Sequence, residues 1–433
     1  MKNVIKAGLI GFGTVGTGVA ELMLAENRMY ERGRDFRIDL VKIADLDITT
    51  DRGVDLPGGM LTASADDILS DPNIDIVIEL IGGYEPAKSI TLRAFESGKN
   101  VVTANKALVA KYASELFEAA EKAGVSYLFE AAVGGGIPIL RSLANGLNAN
   151  RIQSIYGILN GTTNYILTGM ARDGEDYTDM LKNAQQLGYA EADPTADVEG
   201  HDALNKIVIL SRLAFDAELK IEDVYCEGIT RMTVDDIAYA DELGYAIKLL
   251  AIAKQHDDGR VEARVHPTMV PAGSMMAYVE DEFNAIEVYG DAVGREIFYG
   301  KGAGKSPTAS SVVSDVVDIA SRVFNAPSGL VRHRSITENG SGLVDMGELT
   351  LRYYLRFTVR EQPGVLAQIS QIFSEKNISI ESVIQIGGEG DEYVPIVIMT
   401  HRACEADMQE ALSRFSQLDT VMGHIQMIRV EDV

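Results

Sequence analysis

The chain is short of cysteine, of positive charge and of long hydrophobic runs, and each shortage excludes a class of protein. Only two cysteines, Cys226 and Cys404, occur in 433 residues, far apart and without a CxxC pair. That argues against a disulfide framework or a zinc knuckle and fits a reducing compartment. Lys and Arg number 39 against 64 Asp and Glu, a formal net charge of -25. Phosphate backbones and anionic lipid surfaces would be repelled, so neither nucleic acid nor membrane is expected as a partner. No stretch reaches about eighteen uninterrupted apolar residues, and the apolar opening runs straight into a glycine-rich turn, so no membrane span or signal peptide is expected. Low-complexity segments are absent too. What remains is a globular composition, 46% hydrophobic and 24% charged, long enough for two or three domains. A cytoplasmic protein that handles a small ligand or another protein chain is expected.

Short apolar runs at Lys6–Ile10, Ile38–Ala44, Asp75–Ile81, Asn100–Thr103 and Ser126–Phe129 alternate with helical periods. This is the pattern of an α/β domain with a doubly wound parallel sheet, Rossmann-type, expected over 1–150 and completed by a helix within 305–325. From 151 to 304 the pattern is mixed α+β, with a hairpin expected at Tyr245–Ala253 and Val261–Thr268 around the turn His256-Asp257-Asp258-Gly259. Residues 325–350 carry Pro327, Gly329, Gly340, Gly342 and Gly347 and read as a linker. From 351 to 433 the order strand, helix, strand, strand, helix, strand predicts a ferredoxin-like unit. Such a unit has its own periodicities, so truncation near Gly347 is expected to leave the rest folded.

Gly11-Phe12-Gly13-Thr14-Val15-Gly16 follows the first strand and opens a helix. Glycines there permit a tight turn and a close approach of backbone to a pyrophosphate facing the helix N-terminus. The bare pattern is weak; its place at the first strand makes it a dinucleotide site, the alternative being an ordinary strand-to-helix turn. The second strand ends in Asp45, whose carboxylate would accept from the adenosine ribose hydroxyls and repel a 2'-phosphate. NAD is favoured over NADP on this ground, although Asp45 also reads as a solvated loop carboxylate and Arg52 could serve a 2'-phosphate.

A nicotinamide carries hydride, so the protein must supply a proton donor or acceptor. Lys106 stands just past a strand, at the sheet edge where open parallel sheets bind ligands, or is a surface lysine opening the next helix. Asp202 and Lys206, four apart, share one helix face; the bland reading is an exposed ion pair. After Lys206 that helix is apolar almost all round, which marks it as buried, and a desolvated lysine has a pKa lowered toward the range useful in proton transfer. Glu130 begins a glycine-rich turn, 134–136, whose carbonyls could hold a hard cation, though glycines in unusual conformations explain the turn as well.

In order, GFGTVG, TANK, EAAVGGGIPI, LNGTTNYIL, GYAEADPTADVEGHDALNK and GKGAGKSPTASSVVSD resemble homoserine dehydrogenase over about residues 4 to 325. The resemblance implies interconversion of L-homoserine and L-aspartate 4-semialdehyde with NAD or NADP, in threonine, methionine and isoleucine biosynthesis. It makes Lys206 the proton donor or acceptor, Lys106 a contact to cofactor and substrate, and Glu191, Asp197 and Asp202 the substrate-binding carboxylates. Gly82, Lys106 and Gly302 match cofactor contacts. Glu130, Val133, Gly135 and Ile137 match ligands of a monovalent cation, usually sodium. Ala44 stands where many members carry arginine, which again disfavours NADP.

Residues 351–433 resemble an ACT domain, with Glu361-Gln362-Pro363-Gly364-Val365-Leu366 standing where the family has a DxPGVL-like loop, from which the stretch departs. The resemblance implies feedback by an amino acid, typically L-threonine, and a homodimer or homotetramer. Two alternatives remain: aspartate semialdehyde dehydrogenase, which needs a nucleophilic cysteine, and an amino-acid sensor that has lost catalysis.

Overall fold

A computed structural model of the chain describes residues 3–325, 342–385 and 392–433. The linker expected over 325–350 falls in large part, 326–341, outside the described residues, as does the end of the strand expected at Ile378–Gly387. The fold divides into two compact units. The first lies within Met1–Ile155, Asn205–Glu222 and Phe283–Ser341, the second within Tyr156–Leu204, Asp223–Glu282 and Gly342–Val433. Among the described residues no helix is long and apolar enough to cross a membrane.

The first unit holds the parallel sheet. Its six strands run in the order Leu61–Thr62, Arg37–Ala44, Val4–Ile10, Ile76–Glu79, Asn100–Thr103, Tyr127–Leu128. The chain starts in the middle, builds outward on one side, then crosses to the other, so a crevice opens at the carboxyl ends of the central strands. Five of these strands match the apolar runs. The sixth, Leu61–Thr62, is two residues long and carries no periodic signal. The expected returning helix is Lys305–Asn325. Val312, Val316, Ile319 and Ala320 on it share one core with Val19, Ala20 and Met23 of the helix Thr14–Leu24. Gly18 allows the close approach: a Cβ there would lie 3.0 Å from that of Ala309. The hairpin Phe283–Gly290 and Gly294–Lys301 also belongs to this unit.

In the second unit the expected hairpin pairs antiparallel, as Tyr245–Gln255 with Val261–Pro271. The C-terminal strands lie in the order Val421–Val430, Thr350–Arg360, Tyr393–Thr400, Ile380–Gln385, fourth-first-third-second, as a ferredoxin-like unit requires. Val365–Glu375 and Glu405–Phe415 are its helices, and Phe357, Phe373 and Phe415 meet edge to face in its core.

This C-terminal unit is not a tethered module. Its last strand continues the sheet of the hairpin in parallel, Thr268 opposite Arg429 and Met269 opposite Val430. A seam of buried charge crosses the junction. Arg264, fully buried, pairs with Glu262 and Glu431, and Lys254 reaches Glu431 at 2.9 Å. Arg429, 1% exposed, meets Glu405 at 2.5 Å and Glu227 at 3.0 Å. Burial alone would raise the Glu262 pKa, but Arg264 and Lys254 outweigh it and hold the carboxyl at about 2. Burial, with Arg429 and Arg264 alongside, keeps His266 neutral. Asp236, wholly buried, takes Arg356 at 2.6 Å and the Tyr354 hydroxyl at 3.1 Å.

The expectation that truncation near Gly347 leaves a sound fold is therefore withdrawn. Truncation would strip the edge of Val261–Pro271, take Glu431 from Arg264 and Lys254, and take Arg356 and Tyr354 from the buried Asp236, at several kcal/mol for a buried charge left unpaired. The single change Arg356→Ala, which spares the rest of the seam, should lower stability by about 3 kcal/mol because Asp236 is then uncompensated. Denaturant unfolding of the full chain measures it, and a loss below about 0.5 kcal/mol would place the pair among surface salt bridges.

Candidate functional site

The first strand ends at Ile10, and the turn that follows is built on missing side chains. Gly11 has φ of 100°, and a Cβ on it would run into the Leu80 carbonyl. A Cβ on Gly16 would overlap the Gly11 carbonyl, whereas Gly13 faces open space. Gly13 caps Thr14–Leu24 with no side-chain bond, so the first helical N–H groups are left to an anion. Asp45 reaches this turn from the next strand. Its Oδ2 accepts from Phe12 N at 2.5 Å, and its Oδ1 accepts from Asp47 N at 2.9 Å and Arg52 at 3.4 Å. The side chain is 19% exposed, and the Arg52 guanidinium lies 5.1 Å from the centre of the Phe12 ring.

At the crevice edge the structure places a carboxylate that the sequence reading passed over. Glu79 is fully buried, and burial raises its pKa against hydrogen bonds from Thr103 Oγ1 and Ile81 N, both at 2.7 Å. Gly82 and Gly83 follow with positive φ. Asn105 donates to the Gly83 carbonyl at 2.7 Å and caps the helix Lys106–Ala123 by accepting from Leu108 N at 3.1 Å. Lys106 thus begins a helix whose first turn is tied to that glycine loop.

The glycine-rich turn is buried at Glu130, Val133, Gly135 and Ile137. Both Glu130 carboxylate oxygens are already engaged, by Leu140 N at 2.9 Å and Arg141 N at 2.8 Å. Ser311 Oγ donates to the Gly135 carbonyl at 2.7 Å. Gly134 and Gly135 have φ of 71° and 53°, and a Cβ on Gly135 would overlap the Gly302 carbonyl, so the turn lies directly on the loop 300–304. Asp315 underlies it, accepting from Glu130 N at 2.8 Å and pairing with Arg141 at 2.9 Å. Burial, and then Glu130, push the Asp315 carboxyl up to about 7.

The acidic segment belongs to the second unit. Asn160, at the N-terminus of Gly161–Asp173, accepts from Thr163 N at 2.8 Å. Its amide nitrogen donates to Asp197 Oδ1 at 2.7 Å and to Asp202 Oδ2 at 2.8 Å. One neutral side chain thereby holds two of the expected carboxylates together; the helix-capping sequence Asn160-Gly161-Thr162-Thr163 was its only signal. Glu191 is exposed on its loop, with its carbonyl bonded by Gln185. The continuous helix His201–Phe215 carries Asp202, 6% exposed, and Lys206, 7% exposed, so both are buried as the apolar pattern requires. Cys226 donates to the Glu199 carbonyl, and burial, followed by Glu199 and Glu227, pushes its thiol up to about 12.

Residues 11–130 match the family model described as the NAD binding domain of homoserine dehydrogenase. Residues 138–317 match the homoserine dehydrogenase model itself, and 353–420 the ACT domain. The chain belongs to the homoserine dehydrogenase family. It is 44% identical to a homoserine dehydrogenase of Synechocystis over 98% of this chain and 99% of that one. The homoserine dehydrogenase of Bacillus subtilis is 42% identical, covering 99% of each chain. Among solved structures, that of a homoserine dehydrogenase from Thiobacillus denitrificans superposes with a TM-score of 0.92 at 44% identity, covering 99% of this chain and 98% of that one. One from S. aureus gives 0.77 at 31% identity, covering 100% of both. The chain is accordingly an NAD(P)-dependent oxidoreductase, and the three-part architecture read from the sequence stands.

Asp315 gives the site a pH signature. Its folded pKa of about 7 lies above its ordinary 3.8, so the protonated form favours the fold. Its stabilising contribution is full below about pH 4 and is lost as pH rises through 7. Asp315→Asn should therefore gain on the wild type across that window when melting temperatures are compared. Parallel curves would mean that the carboxyl ionises in the fold as it does in water.

Proposed function

We propose that Lys206 moves the proton at the substrate alcohol oxygen while a bound nicotinamide supplies or takes the hydride. Its burial on the helix that also carries Asp202 is the observation behind this reading. In the oxidising direction neutral Lys206 accepts the proton of L-homoserine, and in reverse its ammonium returns a proton to the oxygen of L-aspartate 4-semialdehyde. Asp202 and Asp197, fixed by Asn160, and the accessible Glu191 supply the negative charge that a substrate ammonium requires. Lys106 contacts cofactor and substrate at the sheet edge. Gly11, Phe12, Gly13, Thr14, Val15 and Gly16 take the pyrophosphate, with Gly82 and Gly302 as further cofactor contacts. The thiol-dependent alternative is disfavoured by the Cys226 thiol, which is un-ionised and bonded to a carbonyl.

NAD is the preferred cofactor on this reading, because Asp45 stands at the end of the second strand, tied to the turn through Phe12 N. A monovalent cation sits on the carbonyls of Glu130, Val133, Gly135 and Ile137. The donor set fits one. The Glu130 carboxylate is spent on backbone N–H groups, which leaves neutral oxygens, and no cluster of three or more His, Cys, Asp or Glu suited to a divalent ion occurs among the described residues. The C-terminal unit takes an amino-acid effector, L-threonine, as the end product of the pathway. The exposed Tyr289, Val293 and Tyr299 on the hairpin of the first unit favour a homodimer or homotetramer.

Lys206→Ala should bind cofactor with unchanged affinity and lose turnover of L-homoserine by about a hundredfold or more, followed by absorbance of the reduced nicotinamide. Near-normal turnover would remove Lys206 from the chemistry. Asp45→Ala should weaken NAD binding and lower the ratio of NAD to NADP efficiency, since ribose hydrogen bonds and repulsion of a 2'-phosphate disappear together. An unchanged ratio would leave Asp45 as a brace for the turn alone.

A further inference from the structure

Asn284 is 1% exposed, and both polar atoms of its carboxamide, Nδ2 and Oδ1, are sealed from solvent without a hydrogen-bond partner. A buried amide left in this state costs free energy on two counts, an unmet donor and an unmet acceptor. Its surroundings are specific. Asn284 is the second residue of the hairpin strand Phe283–Gly290, opposite Gly300, and its carboxamide fills the space that a side chain on Gly302 would take. Gly302 in turn lies with its carbonyl against Gly135 of the 134–136 turn, and Gly136 N donates to the Lys301 carbonyl at 3.1 Å. Three glycines thus bring a partnerless carboxamide, the 300–304 loop and the turn into one stack, all within the first unit.

We infer that Asn284 is a further residue of the monovalent-cation site, facing the ion or its one remaining water. The inference rests on the cation reading given above. A sealed carboxamide excludes a nicotinamide ring or an amino acid as its partner and admits only an ion or a water. The oxygens that the turn offers are neutral backbone carbonyls, since the Glu130 carboxylate is turned to Leu140 N and Arg141 N. Neutral oxygens suit a singly charged, hard ion better than a divalent one. Oδ1 meets the ion, and Nδ2 donates to a water of its shell. Because Asn284 packs on Gly302, the ion also fixes the height of the loop that contacts the cofactor.

The test uses the full chain and thermal unfolding in sodium, potassium and choline chloride at equal ionic strength, without substrate or cofactor. Wild type should melt a few degrees higher in sodium or potassium than in choline. Asn284→Leu, branched at the same atom and lacking unmet polar atoms, should lose the cation-dependent rise. Asn284→Asp, which adds a negative charge, should melt lower in choline and show a larger rise, and it keeps the inference testable if the leucine variant does not fold. A wild-type rise that persists undiminished in Asn284→Leu, or is unaltered in Asn284→Asp, would overturn the role of Asn284 and leave the cation reading standing. No rise in wild type would overturn both.

Discussion

Charge taken out of water must meet a partner, and this requirement shapes the second unit more than any apolar contact does. Arg264 and Arg429 are as deeply buried as the core phenylalanines. They are tolerable only because carboxylates arrive from separate stretches of chain: Glu262 and Glu431 at one, Glu227 and Glu405 at the other. The parallel junction between Val261–Pro271 and Val421–Val430 is short, two residue pairs. A slip of one residue would send every side chain to the other face, and for the opposed buried charges it would also break each pairing.

Within each unit, a neutral amide positions residues singled out in the sequence. Asn160 joins two carboxylates, and Asn105 joins a helix start to the Gly82–Gly83 loop. A carboxamide offers donor and acceptor in one planar group and adds no charge of its own. At Asn160 it holds the Asp197 and Asp202 carboxylates close to one another.

Five of the six strands of the parallel sheet were legible because their signals are local: an apolar run, a turn of fixed chemistry, a helical period. The glycine fingerprint was legible for the same reason. The bond from Asp45 to Phe12 N spans 33 residues and was not. Glu79 carried no local signal, because its partner Thr103 lies 24 residues on. The apparent independence of the C-terminal unit was the largest misreading. Val261–Pro271 carries Glu262, Arg264 and His266 on a strand buried along almost its whole length. In sequence, such residues mark a solvent face; they become interior only once their partners, more than a hundred residues later, are known.

The seam also bears on how the chain reaches its native state. Arg264 and Glu431 are 167 residues apart, so the ribosome exposes Val261–Pro271 long before the strand that completes its edge is made. During that interval the nascent chain presents an open β edge together with unmatched arginine and glutamate. Closing so long a loop is slow, because its entropy is spent before the contacts that reward it can form. Until Val421–Val430 is synthesised, that edge stays open to misassembly.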